Sequence, residues 1–285
     1  MMNCIQQSVF IVVAWWVGAL ATYAWGPEGH MIVGRIAEQQ LTPRTALEVQ
    51  ALLNTAPTSP LVTMANFNIV NWADEIRPTH PETAPWHFVD IPFDATHYAP
   101  ERDCHAPEGC IITAIEKFRL QLADLHTNRA TRTEALKYLI HFVGDIHVPL
   151  HCAERYGDKG GNMVWVREPN DVKATRLHAF WDETLVEKNI KNRRMDVMAY
   201  ADSLNRAISA TQAKAWCTGN PANWAWEAHL LAVKEVYAGI PVHGKAVTLD
   251  AAYITRSQRI VAEQLSKAGL RLAQVLNEVC DRPNP

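Results

Sequence analysis

Helical periodicity runs through almost the whole chain, and it restricts the fold more than any other feature. Ile111, Ile115, Phe118 and Leu122 mark one apolar face, and Leu139, Phe142, Val143 and Ile146 mark a second that Pro149 should stop. Leu177, Trp181 and Leu185 fit a third, while Val261, Leu265, Ala268, Leu272 and Val275 predict a long amphipathic helix near the C-terminus. Thr42-Pro43 reads as a helix start, because proline's fixed φ suits the first helical position and its missing N–H is not needed there. Two long stretches break the pattern, Thr79 to Gly109 and Cys152 to Asn170. Loops of that length inside a compact domain usually serve function. No internal repeat, low-complexity segment or linker is evident. The expected architecture is all-α, a single-domain helical bundle with long loops flanking whatever site exists. At 285 residues and 48% hydrophobic, the chain can bury a substantial core as one domain.

Charge narrows the possible partners. Lys and Arg number 27 against 30 Asp and Glu, for a formal net charge of −3, and no basic block occurs. This argues against a long basic groove for duplex DNA, so any nucleic acid is expected to be gripped locally. Residues 1–24 carry no charged side chain, and Val9 to Leu20 form an apolar run shorter than the ~20 residues a membrane span needs. Thr22-Tyr23-Ala24 places small residues where a signal peptidase cuts. The basic n-region of a signal is missing, since only the α-amino group is positive there. The expectation is a signal peptide over 1–24, cleaved before Trp25, and a mature domain over 25–285. Cys4 leaves with it, and in an exported chain without Cys-x-x-Cys the remaining cysteines read as disulfides. Cys104–Cys110 and Cys217–Cys280 are the expected pairs, with Cys152 the odd thiol.

The histidines carry the chemistry. His141 and Asp145 stand at i, i+4 on one predicted helix, so both project from the same face. His178 and Asp182 repeat the spacing on another helix, and His151 follows just past Pro149. One such pair alone is better explained as a surface ion pair or a packed polar contact than as a metal site. Two pairs on different helices, with His151, can converge inside a bundle as a nitrogen/oxygen site suited to zinc. His147 falls two residues from Asp145 and points elsewhere, as packing or support for a ligand. His80, His97, His105, His126, His229 and His243 have no partner at useful spacing, and Trp216, Trp224 and Trp226 read as core. No Gly-rich phosphate loop, serine elbow or Cys/His nucleophile pattern is present.

His141-Phe142-Val143-Gly144-Asp145-Ile146-His147-Val148-Pro149-Leu150-His151 resembles the signature of the S1/P1 nucleases. So do Trp25-Gly26-Pro27-Glu28-Gly29-His30, Asn71-Trp72-Ala73-Asp74-Glu75-Ile76-Arg77, Trp86-His87-Phe88-Val89-Asp90 and Leu177-His178-Ala179-Phe180-Trp181-Asp182, in the family's order from Trp25 to about residue 240. The resemblance implies the phospholipase C/P1 nuclease bundle and a secreted or periplasmic phosphodiesterase. Its substrates would be single-stranded DNA and RNA, released as 5′-mononucleotides, and 3′-nucleotides. No stable membrane association and no protein partner are expected. The cofactor implied is zinc, three ions that activate a water for in-line attack at phosphorus. Asp74, His87, His141 and Asp145 would bind the first ion, and His151, His178 and Asp182 the second. His30, the shared Asp145, and the free amine and carbonyl of Trp25 would bind the third. Asp74 would also orient the nucleophile, and Arg77 would face the scissile phosphate; by spacing alone, Arg77 could pair with Glu75. Phe88 and Asp90 would hold the base by stacking and by accepting from its edge, and Asn162 would reach substrate from its loop. Read plainly, Phe88 could instead be core, Asp90 a turn cap and Asn162 a turn residue. Zinc-dependent phospholipase C shares the fold and the three-zinc site. Against it stand His30 five residues after Trp25, Asp182 in place of Glu, and the Phe88/Asp90 pair. An exported zinc-storage protein would need neither Arg77 beside Asp74 nor a ring beside His87.

Overall fold

A 30-residue helix, Ala251–Cys280, forms the spine of the molecule and extends about 45 Å. Tyr253, Val261, Leu265, Ala268, Leu272, Val275 and Leu276 are buried along one face, as the periodicity predicts. Truncating Leu272, which is fully buried, to alanine would cost about 2–5 kcal/mol. Against this face lies the helix Pro27–Glu38, and the two come so close that a Cβ on Gly269 would sit 2.5 Å from Ile36 Cβ. The computed structural model describes residues 25–54, 62–105, 107, 109–242 and 244–281. The expected signal peptide, Cys4 and His243 lie outside them.

The helix Arg129–Asp145 runs through the centre. Asn128 caps it, its side-chain oxygen accepting from Thr131 N at 3.0 Å. From Ala135 onward almost every residue is buried, so His141 and Asp145 enter the interior with the apolar face rather than pointing to solvent. The helix stops at Asp145, and Pro149 opens a single 3-10 turn, Pro149–Cys152, that carries His151. The predicted third helix begins at Leu177–Ala179, widens to a π turn over Phe180–Thr184 and resumes as Leu185–Arg193. Asp182 sits on that widened turn, a distortion frequent at functional sites. Thr42 caps Pro43–Leu53 as expected, accepting from Thr45 N at 3.2 Å.

The two long loops are more ordered than periodicity suggests. The first holds a 3-10 helix, Pro81–His87, and a short helix, Pro100–Asp103. The second leads into β1 (Trp165–Arg167), which pairs antiparallel with β2 (Thr175–Arg176) and parallel with β3 (Val247–Thr248), in the order β2-β1-β3. The loops are laced together by Val89 N to His151 O at 2.8 Å and by Glu154 N to Ile91 O and Phe93 N to Glu154 O, both 2.9 Å. The fold is mostly helical, and these small elements only edge the site. No helix among the described residues is long and apolar enough to cross a membrane.

Cys104 and Cys110 are bonded, with Cα atoms 5.1 Å apart, and Cys152 is a buried free thiol. The expected Cys217–Cys280 bridge is not formed; both cysteines are free. The backbone next to Cys217 is anchored beside Arg271, whose Nε donates to Trp216 O at 2.8 Å. Cys280 lies roughly 13 Å further along the same helix, beyond the ~7 Å that a disulfide spans. Trp224 is core, while Trp216 and Trp226 are partly exposed. His147 is packing: its Nδ1 meets Val143 O at 2.7 Å and its Nε2 meets Arg271 Nη1 at 3.0 Å. Burial and the adjacent Arg271 charge hold its pKa well below the usual histidine range.

Candidate metal centre

Six separate segments deliver His and Asp side chains to one buried volume. The short helix Trp72–Glu75 brings Asp74, and the end of Pro81–His87 brings His87. His87 Nδ1 lies 3.0 Å from Asp145 Oδ2 and 3.6 Å from Asp74 Oδ1. His141 Nε2 lies 3.3 Å from Asp145 Oδ2 and 3.6 Å from Asp74 Oδ2. The other oxygen of Asp145 faces His30 Nε2 at 3.2 Å, and the His30 ring stacks on His141 with centroids 4.1 Å apart. In a neighbouring group, His178 Nε2 is 2.9 Å and His151 Nε2 is 4.0 Å from Asp182 Oδ2. Three sets thus bring their donor atoms within 4.8 Å of one another: Asp74, His87 and His141; His30, His141 and Asp145; His151, His178 and Asp182.

Backbone carbonyls aim three of these rings. His141 Nδ1 meets Val70 O at 2.6 Å, His151 Nδ1 meets His87 O at 2.8 Å, and His178 Nδ1 meets Gly160 O at 2.7 Å. A carbonyl can only accept, so each Nδ1 carries a proton and each Nε2 is the nitrogen turned to the cluster, free to ligate a metal when the ring is neutral. At 2.9–3.3 Å from a carboxylate oxygen, Nε2 must either carry a proton or share a cation with that oxygen. Consistently, His30, His141 and His178 Nε2, Asp145 Oδ1 and both oxygens of Asp182 are buried without a hydrogen-bond partner. Leaving such groups unsatisfied is expensive. The donor set fits a divalent metal such as zinc.

The electrostatics agree. Burial drives His30 down to about 4 and lowers His87 and His151 as well, keeping those rings neutral. At His141 burial opposes the charge, but Asp145 and Asp74 outweigh it and hold the ring up at about 9. Asp182 likewise raises His178 against its burial. Burial would raise Asp145, yet the surrounding imidazoles keep it well below the usual carboxylate range. Buried acids draw positive charge into this cluster.

Trp25 closes one side. Its indole is buried, with Nε1 donating to Gly144 O at 3.0 Å, and Gly26 N donates to Asp182 O at 3.0 Å. Trp25 and Gly26 are thereby tied to Gly144, next to Asp145, and to Asp182. Gly144 has no side chain because His30 occupies the space; a Cβ there would lie 2.7 Å from His30 Nδ1.

Arg77 sits at the rim, its Nη1 3.1 Å from Asp74 Oδ1. Phe88 is 36% exposed, so it is not core, and Asp90 is exposed beside it. Asp90 is crowded on its other sides: loss of hydration, with Glu154 nearby, raises its carboxyl to about 6. Asn162 turns back into its own loop, with Nδ2 donating to Lys159 O at 2.9 Å, which is the turn alternative for that residue. Of the histidines set aside, His229 is buried after all, stacked on Trp226 and bonded to Cys152 O at 3.1 Å. The orienting carbonyls of Val70, His87 and Gly160 left no trace in the sequence, because every residue type has one.

The family model for S1/P1 Nuclease matches residues 25–281. Endonuclease 4 of Arabidopsis thaliana is 33% identical over 90% of this chain and 89% of its own length. Nuclease S1 of Aspergillus oryzae is 30% identical over 93% and 95%, and Nuclease P1 of Penicillium citrinum 30% over 90% and 97%. The match covers all three His/Asp groups and the loops between them, and the chain belongs to the S1/P1 nuclease family.

Proposed function

We infer that the chain is an exported zinc-dependent endonuclease that hydrolyses single-stranded DNA and RNA to 5′-mononucleotides and also removes phosphate from 3′-nucleotides. The observation that carries this reading is the set of imidazole Nε2 atoms turned by backbone carbonyls toward carboxylates that are buried without hydrogen-bond partners. Asp74, His87, His141 and Asp145 would hold one zinc, His151, His178 and Asp182 a second, and Trp25, His30 and Asp145 a third. Zinc there supplies Lewis-acid chemistry, which makes water nucleophilic near neutral pH and neutralises charge at a phosphate.

The protein's own groups supply position and charge. Asp74, within hydrogen-bond reach of Arg77, orients the attacking water and fixes the guanidinium. Arg77 places two N–H donors where the phosphorane-like oxygens gain charge, and the P–O3′ bond breaks with the phosphate left on the 5′ carbon. Phe88 stacks on one base, and the Asp90 carboxylate accepts from its edge. A base must leave its own stack to reach Phe88, which selects single strands without a basic groove. Asn162 is the weakest member of this set, since its amide is already engaged within the loop.

Residues 1–24 are read as a signal removed before Trp25, leaving 25–285 as the mature domain. A free amine at Trp25, with a pKa of about 7.7–8.0, offers a lone pair that an amide does not. The test compares a protein starting at Trp25 with one that retains residues before it, measuring metal content and products from single-stranded DNA, RNA and phosphatidylcholine. The expected result is three zinc ions and 5′-mononucleotides from the first protein, one ion fewer from the second, and no lipid hydrolysis. Full activity from a zinc-free protein, or lipid as the preferred substrate, would overturn the reading.

A further inference from the structure

Four of the exposed large hydrophobic side chains, Tyr156, Met163, Trp165 and Val242, line one cavity of about 390 Å³. Single exposed apolar residues are ordinary, but several gathered around a concavity of ligand size indicate binding. Two of them are large rings, with Tyr156 61% and Trp165 48% exposed. Trp165 stands opposite Arg176 across the β1–β2 pair, and that guanidinium lies 5.7 Å from its ring centroid. Lys245 adds an exposed cation at the rim. The acid in the floor is matched, because buried Asp158 faces buried Arg155, whose Nη1 also donates to Ile240 O at 2.9 Å. The accessible surface therefore offers rings and positive charge.

The loop that lines the cavity also supports the metal centre. Asp158, Met163 and Val164 line it, and the same loop supplies Gly160 O to His178 Nδ1. Leu177 N, next to His178, donates to Val164 O at 2.8 Å. On the other side, the segment carrying Phe88 and Asp90 continues to Phe93, whose ring meets Tyr156 at 5.9 Å. The Glu154 carboxylate holds the loop in place by accepting from Gly157 N and from Lys159 N.

The geometry points to a second base-binding subsite here. It takes another nucleotide of the same single strand whose first base lies at Phe88, with its base against Trp165 and Tyr156 and its phosphate toward Lys245. This rests on the single-strand nuclease reading, and it adds a length preference that the metal centre alone does not create. Rings receive any base, so the subsite would favour longer strands without sequence preference.

The test measures KM and kcat of the zinc-loaded mature enzyme on a dinucleotide and a hexanucleotide, for the wild type, Trp165→Ala, Trp165→Phe and Tyr156→Ala. Each alanine variant should raise KM for the hexanucleotide about tenfold and for the dinucleotide by less than about twofold, with kcat unchanged. Trp165→Phe should recover most of the loss, and an abasic position in the hexanucleotide should reproduce it in the wild type. Equal changes for both lengths would mean that these rings only support the loop, and would overturn the subsite. So would a wild type that cleaves both substrates with no gain from length, although the nuclease reading would survive. A wild type that cleaves neither overturns both.

Discussion

His30 Nε2 lies 3.2 Å from one carboxylate oxygen of Asp145, and the other oxygen of that aspartate faces His87 and His141. One carboxylate therefore serves two of the three candidate metal positions. Asp145→Asn should lower zinc content by more than one ion per chain and reduce activity at least about a thousandfold. Elemental analysis checks this, and the His151, His178 and Asp182 position should keep its ion.

The same contact can be disturbed without touching a ligand. Gly144→Ala puts a methyl 2.7 Å from His30 Nδ1 and 2.9 Å from its Cε1, so the ring must shift from its place beside Asp145 or the backbone must give. One zinc should be lost while the others stay, and activity should fall by about tenfold or more. Unchanged metal content would show that the ring has room to yield.

Arg77 separates catalysis from metal binding. Arg77→Ala should lower kcat about 10²- to 10³-fold, as for other donors that meet transition-state charge, and leave zinc content intact. Steady-state kinetics beside metal analysis decide it.

Asp90 should make base recognition pH-dependent. Its carboxyl is raised to about 6, first by loss of hydration and then by Glu154. A raised acid takes its proton as pH falls, so the ionised acceptor is present above about pH 6 and lost below it. The kcat/KM advantage of wild type over Asp90→Asn should be largest near pH 7.5 and vanish near pH 5. An advantage that stays constant across this range would assign the base contact to another group.

Removing metal should destabilise the fold, because buried carboxylate oxygens and ring nitrogens that lack hydrogen-bond partners would lose the ion that satisfies them. A chelator should lower the melting temperature by about 10 °C, the equivalent of a few kcal/mol for a domain of this size. Added zinc should restore it.

The amino-acid order alone determined the helices and most of the residues that meet at the metal centre. Apolar spacing in Leu139–Ile146 and Val261–Val275 records which face must leave water, and His141/Asp145 and His178/Asp182 recur at helical spacing on faces that turn inward. Only the tertiary structure decided which cysteines pair, since Cys217 and Cys280 are held apart by their anchorage on one long helix. It alone revealed the carbonyls that aim the rings, the close approach of His30 to Gly144, and the cavity beside Trp165. Periodicity records the burial of a segment against its own axis, whereas these contacts join residues far apart in the chain. Their geometry exists only once packing has fixed several helices relative to one another.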